Sequence, residues 1–158
     1  MFESMLAALV AHDIRFVLIG GVAATIHGSA RFTNDIDLCY DTAPDNVDRL
    51  IALLTEWQAY LRGIEPGLPF VLDRRTFRTT PVLTLTSTMG AIDLLDQVPG
   101  VGTYREALTG SEAVRIGTTE FRALTLDALI ASKRAVRRKK DVEHLIELEA
   151  IRALRELG

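Results

Sequence analysis

Apolar residues recur at helical spacing at Phe2, Met5, Leu6 and Leu9, so the chain opens with an amphipathic helix expected to end near His12. Arg15 to Ile19, rich in β-branched and aromatic residues, predicts a strand that stops at Gly20-Gly21. Val22 to His27 then reads as a short helix closed by Gly28. From Asp35 to Tyr40 the pattern changes to period two, with Ile36 and Leu38 on one face of a half-buried strand and Asp35 and Asp37 on the other. Pro44 marks a helix start, and Val47, Leu50, Ile51, Leu54 and Trp57 carry an amphipathic helix to about Tyr60, with Trp57 in the core. Gly63 to Pro69 reads as a loop. Short strands are expected at Thr76 to Arg78, Val82 to Thr86 and Ala91 to Leu95, with a turn over Ser87 to Gly90. A second loop begins at Val98 to Gly102, a helical turn falls at Tyr104 to Leu108, and strands follow at Ala113 to Ile116 and Phe121 to Ala123. Asp127 to Leu157 is helical by propensity, with a break expected near Lys139 to Asp141. The pattern is α/β: a short mixed β-sheet flanked by helices, with a C-terminal helical segment.

Composition bounds what such a chain does. Its 158 residues suit a single domain, with a core over about 14–125 and the helical part over about 126–158. With 48% hydrophobic and 25% charged residues, it is neither disordered nor a coiled coil. The most apolar stretch, Phe16 to Ala24, falls short of the ~18 residues of a membrane span, and the first residues lack the basic start of a signal peptide. No membrane partner and a cytoplasmic location are therefore expected. The one cysteine, Cys39, lies in an apolar run and reads as a small buried hydrophobe. A net charge of −3 argues against a general polyanion binder, although 18 basic residues leave room for a local patch.

Chemistry concentrates between Ile19 and Leu38. Gly20 and Gly21 at a strand end permit close backbone approach to a ligand, and the following helix offers free N–H groups to a phosphate. Alone, a glycine pair here is more often just a tight turn. Asp35 and Asp37 project from the same strand face with Cα atoms about 7 Å apart, an arrangement that calls for a cation between them unless the strand is a solvent-facing edge. Oxygen donors of this kind suit magnesium. Asp93, flanked by Ile92 and Leu94, takes the polar face of a later strand, and if that strand lies beside the first, three carboxylates converge. Three carboxylates can hold two divalent ions.

These segments, Gly-Gly, a helix, Arg31-x-Thr33-x-Asp35-Ile-Asp37-Leu and the later Asp93 strand, resemble the DNA polymerase β-like nucleotidyltransferase superfamily. Within it the chain is most similar to small proteins of the AbiEii toxin type, a likeness carried also by Ile92 to Val101 and by Leu126 to Leu145. The resemblance extends from about Phe16 to Leu148. It implies transfer of a nucleoside monophosphate from a nucleoside triphosphate, with Gly20 and Gly21 by the phosphates and Asp35, Asp37 and Asp93 as metal ligands and catalytic residues. Mg2+ is the implied cofactor, as a two-metal site, with Mn2+ as substitute. Gly20-Gly21 replaces the Gly-Ser of many superfamily members, which removes one hydroxyl and leaves backbone N–H groups to serve.

Lys133 shares the stripe of Leu126, Leu129, Val136 and Lys140 at 100° per residue and so is expected to point inward, toward a triphosphate or, in the plainer reading, as a stem covering apolar surface. Arg134, Arg137, Arg138, Lys139 and Lys140 form a basic run that is a solvated face or, beside a triphosphate site, steers a phosphate-rich acceptor. Arg31 and Thr33 complete the nucleotide-binding candidates with Lys133 and Lys140, Arg31 being equally suited to pair with a surface acid. His27 is expected to cap or pack. Asp141 is read either as orienting Lys140 or Arg31 or as a cap of the final helix. The resulting expectation is a Mg-dependent nucleotidyltransferase acting on RNA, such as a tRNA 3′ end, or on a protein hydroxyl, as a toxin with an antitoxin partner. A non-catalytic nucleotide- or RNA-binding module and a small-molecule (antibiotic) nucleotidyltransferase are the alternatives.

Overall fold

The computed structural model describes residues 2–65 and 67–158. Of the loop expected at 63–69, residue 66 therefore lies outside the described residues. The elements run α1 (Phe2–Ala11), β1 (Phe16–Ile19), α2 (Gly20–Ile26), β2 (Asp35–Tyr40), α3 (Pro44–Glu56), β3 (Tyr60–Leu61), α4 (Arg74–Thr79), β4 (Val82–Thr86) and β5 (Ala91–Leu95). There follow β6 (Gln97–Val98), β7 (Gly102–Thr103), α5 (Tyr104–Thr109), β8 (Ser111–Ile116), β9 (Thr119–Leu124), α6 (Leu126–Val136) and α7 (Lys139–Leu157). Seven strands form one mixed sheet in the order β3-β4-β5-β2-β1-β9-β8, and β6 and β7 make a separate ribbon. This is the expected short mixed sheet flanked by helices.

The central strands explain themselves. All four residues of β1 are buried, so it reads as a continuous apolar run, whereas β2 keeps Asp35 and Asp37 half-exposed between buried Ile36 and Leu38. β1 lies antiparallel to β2 and parallel to β9, and β2 lies parallel to β5. That order pairs Ile19 with Asp37, Asp37 with Asp93, and Asp93 with Thr84 in one row across four strands. Leu18, Leu38 and Leu94 are fully buried in one continuous cluster that also takes in Trp57 and Cys39, both core residues as expected. Among the described residues, no helix is long and apolar enough to cross a membrane.

Four of the differences from the sequence pattern have a visible local cause. Thr76 to Arg78 is not a strand but part of α4, because the Asp73 side chain accepts the Thr76 N–H (2.9 Å) and caps a helix turn before β-propensity can act. That turn buries Phe77 edge-on against Tyr40, with ring centroids 5.5 Å apart. Helix α3 stops at Glu56 instead of Tyr60, since Gln58 turns left-handed (φ 53°) and frees Tyr60 and Leu61 to pair with β4. The loop at 98–102 is pinched by the β6–β7 ribbon. Finally, the break in the last helical stretch falls at Arg137 (φ 54°), before Lys139, so Lys140 belongs to α7 and does not share a continuous stripe with Lys133.

Candidate active site

The parallel pairing of β2 and β5 sets Asp37 directly beside Asp93, and strand spacing of about 4.8 Å does the rest. One carboxylate oxygen from each of Asp35, Asp37 and Asp93 lies within 4.8 Å of the others. So much negative charge in a half-buried place is held at a cost. Burial, the charge of Asp35 and contact with Asp93 push the Asp37 carboxyl up to about 8. Burial, followed by contact with Asp35, also raises Asp93. Three hard oxygen donors fit a divalent cation such as Mg2+ or Mn2+, and neither imidazole nor thiolate is in the set.

The glycine pair builds the neighbouring wall. Gly20 sits at φ +68°, and a Cβ there would fall 2.1 Å from Asp37 Oδ2 and 2.8 Å from its Cγ. The left-handed backbone and the contact both require glycine. At Gly21 an added Cβ would meet the Thr33 hydroxyl at 2.9 Å, and its N–H is directed to the Asp37 carboxylate. Gly20 therefore lines the cleft, while Gly21 holds Asp37 and the loop before β2 in place. Thr33 acts locally as well, donating its hydroxyl to the Asp35 carbonyl at 3.1 Å.

Facing the acids is a wall of cations. A cleft of about 570 Å³ runs from Ile19, Gly20 and the three aspartates to Ser132, Lys133 and Val136 of α6 and to Arg138, Lys140 and Asp141 at the start of α7. Lys133 thus points inward, as its place on the stripe predicts, but its ammonium is held by Asp141 Oδ1 (3.1 Å) and not by the three aspartates. Asp141, 1% exposed, accepts from Arg138 as well (2.7 Å), so its partners are Lys133 and Arg138 and not Lys140 or Arg31. Burial alone would raise the Asp141 carboxyl, but these two hydrogen bonds outweigh it and hold it below its ordinary value. Lys140 reaches the same cleft from α7 by the accident of the helix break, its exposed stem rising from the new first turn.

Arg31 stands apart from the cleft lining, exposed, with its N–H on the Ser29 hydroxyl (3.2 Å). The loop that carries it is tied to α7, since Glu147 accepts from both the Ser29 hydroxyl (2.6 Å) and the Ala30 N–H (3.1 Å). Next to Arg31, Phe32 is 87% exposed. His27 packs as expected, its Nε2 2.8 Å from the Leu124 carbonyl and its Nδ1 3.1 Å from the Arg155 guanidinium.

Sequence reasoning missed Arg62. Its backbone N–H continues the β3–β4 ladder onto Thr84, and its side chain crosses β4 to place one guanidinium nitrogen 2.7 Å from Asp93 Oδ1 and the other 3.5 Å from Asp35 Oδ2. Nothing in the local pattern marks a residue at the end of a two-residue edge strand. Glu147 was equally silent, because its partners on the loop before β2 are distant in sequence, whereas Arg138 stood in the expected basic run and only its pairing with Asp141 was missed.

A sequence model of the family described as "Nucleotidyl transferase AbiEii toxin, Type IV TA system" matches residues 4–136, which spans α1 through α6. Among solved structures, the antibiotic-resistance factor ANT(2'')-Ia in solution is similar at 16% identity and a TM-score of 0.56, covering 98% of this chain and 89% of that one. A crystal structure of ANT(2'')-Ia with adenylyl-2''-tobramycin gives 17% identity, a TM-score of 0.54, and coverage of 97% and 93%. An antigenic nucleotidyltransferase-like protein from Paracoccidioides brasiliensis gives 17% identity and a TM-score of 0.51, over 92% of this chain and 72% of that one. At such identities the likeness is one of fold. No curated protein sequence matches significantly.

Proposed function

The chain belongs to the nucleotidyl transferase AbiEii toxin family and is a nucleotidyltransferase, and from that premise we propose that it uses Mg2+ to move a nucleoside monophosphate onto an RNA hydroxyl. The observation that carries this reading is the opposition of three clustered carboxylates to Lys133, Arg138 and Lys140 across one cleft. A metal–triphosphate has that polarity: cation against the acids, phosphate oxygens against the ammonium groups. Mn2+ would serve in place of Mg2+.

In this account Asp35, Asp37 and Asp93 would hold the metal, and Asp93 would also accept the proton of the attacking hydroxyl. A metal held by these three carboxylates would supply charge stabilisation at the reacting phosphate and would lower the pKa of that hydroxyl. Lys133, oriented by Asp141, faces the triphosphate, and Lys140 adds charge at the same mouth. The backbone at Gly20 lets the nucleotide approach the acids. Attack at the α-phosphorus forms the new phosphodiester bond as the bond to the leaving pyrophosphate breaks. Positioning and preorganised charge carry most of the catalysis. The 158 residues act as one catalytic domain, with α7 bracing the loop before β2 through Glu147.

RNA is favoured as acceptor over a protein hydroxyl by the exposed Arg137, Lys139 and Lys140 beside the cleft and by Phe32 on the loop entering β2, a cationic surface with an aromatic face for a base. A tRNA 3′ end presents such a hydroxyl. The toxin character of the family supports an antitoxin counterpart. Incubation with Mg2+, ATP, CTP, GTP and UTP labelled at the α-phosphate, total RNA, cell protein and an aminoglycoside of the tobramycin class tests this, with Asp35→Asn as control. Label is expected on RNA and absent in the control. Label on protein or on the aminoglycoside alone would sink the RNA acceptor.

A further inference from the structure

Arg62 lies among the three aspartates in a manner that neither side satisfies. Its terminal nitrogens reach Asp93 Oδ1 (2.7 Å) and Asp35 Oδ2 (3.5 Å), and one of them donates to the Leu85 carbonyl at 2.6 Å. Yet Nε of Arg62 is buried without a partner, and Asp93 Oδ1, although close, accepts no well-aligned hydrogen bond. A purely structural arginine of the interior normally spends its planar fork in two parallel bonds to one carboxylate. Here the fork is split between two carboxylates on neighbouring strands and a carbonyl on a third, which is the geometry of a counter-ion filling a site shaped for something else. The Arg62 side chain is about one-third exposed, so it has room to leave toward solvent.

We infer that Arg62 is an internal counter-ion of the carboxylate cluster, competing with the divalent cation for Asp93 and Asp35 and so restraining metal loading until a nucleotide arrives. The inference rests on the metal site proposed above. A divalent cation and a guanidinium cannot both hold Asp93 Oδ1 at contact distance, because like charges at 3–4 Å in a half-buried site repel strongly. A triphosphate changes the balance in two ways. It brings oxygen ligands for the metal, and it gives the displaced guanidinium another anion to pair with. Metal and nucleotide then bind with positive coupling, and Arg62 is a positioning residue that supplies part of that coupling.

The test is Mn2+ affinity of the purified protein, followed by calorimetry and by electron paramagnetic resonance of free Mn2+, with and without a non-hydrolysable ATP analogue. Arg62→Gln keeps hydrogen-bonding capacity and removes the charge. Without nucleotide it is expected to bind Mn2+ about tenfold more tightly than the unaltered protein, and the gain in affinity on adding nucleotide is expected to shrink. A merely structural arginine predicts the opposite sign, since loosening the site weakens metal binding. Unchanged or weaker Mn2+ binding by Arg62→Gln, with the unaltered protein binding normally, overturns the inference and leaves the metal site standing. If instead the unaltered protein binds no Mn2+ even with nucleotide, or Asp35→Asn binds it equally well, the metal site itself fails and this inference with it. Thermal melts confirm folding of each variant. Should Arg62→Gln not fold, Arg62→Lys, shorter and without the fork, carries the test: tightening of about twofold or more supports the inference and none refutes it.

Discussion

Replacing Gly20 by alanine is the sharpest probe of how the site is built. The new methyl group would lie 2.1 Å from Asp37 Oδ2, 2.8 Å from Cγ and 2.9 Å from Cβ. Swinging the carboxylate about its last torsion relieves only the first of these, so the whole Asp37 side chain or the β1–α2 turn must move. A left-handed backbone at a residue with a Cβ costs about 1 kcal/mol, and forced overpacking adds about 2 kcal/mol, for a sum near 3 kcal/mol. In a chain of this length that lowers the melting temperature by about 6–12 °C. Activity falls further than stability, because a shift of about 1 Å in a metal ligand costs on the order of a hundredfold in rate. Calorimetric melting and label transfer under Mg2+ measure both. In an Asp37→Ala background the contacts to Oδ2 and Cγ vanish, so Gly20→Ala should there cost about 1 kcal/mol less, a coupling that a double-mutant cycle reads directly. A Gly20→Ala protein within about 0.5 kcal/mol of the unaltered one and retaining a third or more of its activity would refute the close-approach argument.

Mg2+ or Mn2+ at about a hundred times its dissociation constant should stabilise the fold by about 2.7 kcal/mol, a rise in melting temperature of about 5–11 °C that EDTA reverses and Asp37→Asn abolishes. No shift at any metal concentration would count against the carboxylate cluster as a cation site. Asp141 is held below the ordinary carboxylate value of 3.8, so it stabilises the fold fully above about pH 3.8 and loses that contribution as pH falls through its folded value. Asp141→Asn should therefore cost about 2 kcal/mol at neutral pH, the difference narrowing in acid melts below pH 4, and should raise the KM for nucleotide by releasing Lys133. A pH-independent difference would show that the ion pairs are not its source. Burial, with Asp96 and Glu106 nearby, pushes the Cys39 thiol up to about 12, so a disulfide reagent at pH 8 should leave the native protein untouched and titrate one thiol after denaturation. Rapid reaction of the native form would contradict its place in the core.

Local pattern carried the acids and their strands. Period two placed Asp35 and Asp37 on one face, and Asp93 between Ile92 and Leu94 could only face the same way if its strand was a neighbour. What the pattern could not give is the register that pairs Asp37 with Asp93, which depends on the parallel fit of β2 and β5 across 56 residues of chain. Helical spacing likewise turned Lys133 inward but ran Lys140 on the same helix, because no proline or glycine announces the left-handed Arg137. Thr76 to Arg78 shows the converse failure, a β-rich triplet whose fate was decided three residues upstream by Asp73. Arg62 was illegible for a physical reason: a long side chain acts about two strands away from its own backbone, and no short-range rule follows it there.

Transfer of α-phosphate label to RNA is the measurement that bears most directly on the whole account. With Mg2+ and the four nucleoside triphosphates, the unaltered protein should label a discrete RNA band, release pyrophosphate in equal amount, and lose both with Asp35→Asn. Pyrophosphate release and RNA labelling that persist undiminished in Asp35→Asn would contradict it, because the reaction would then not run through the three-carboxylate site.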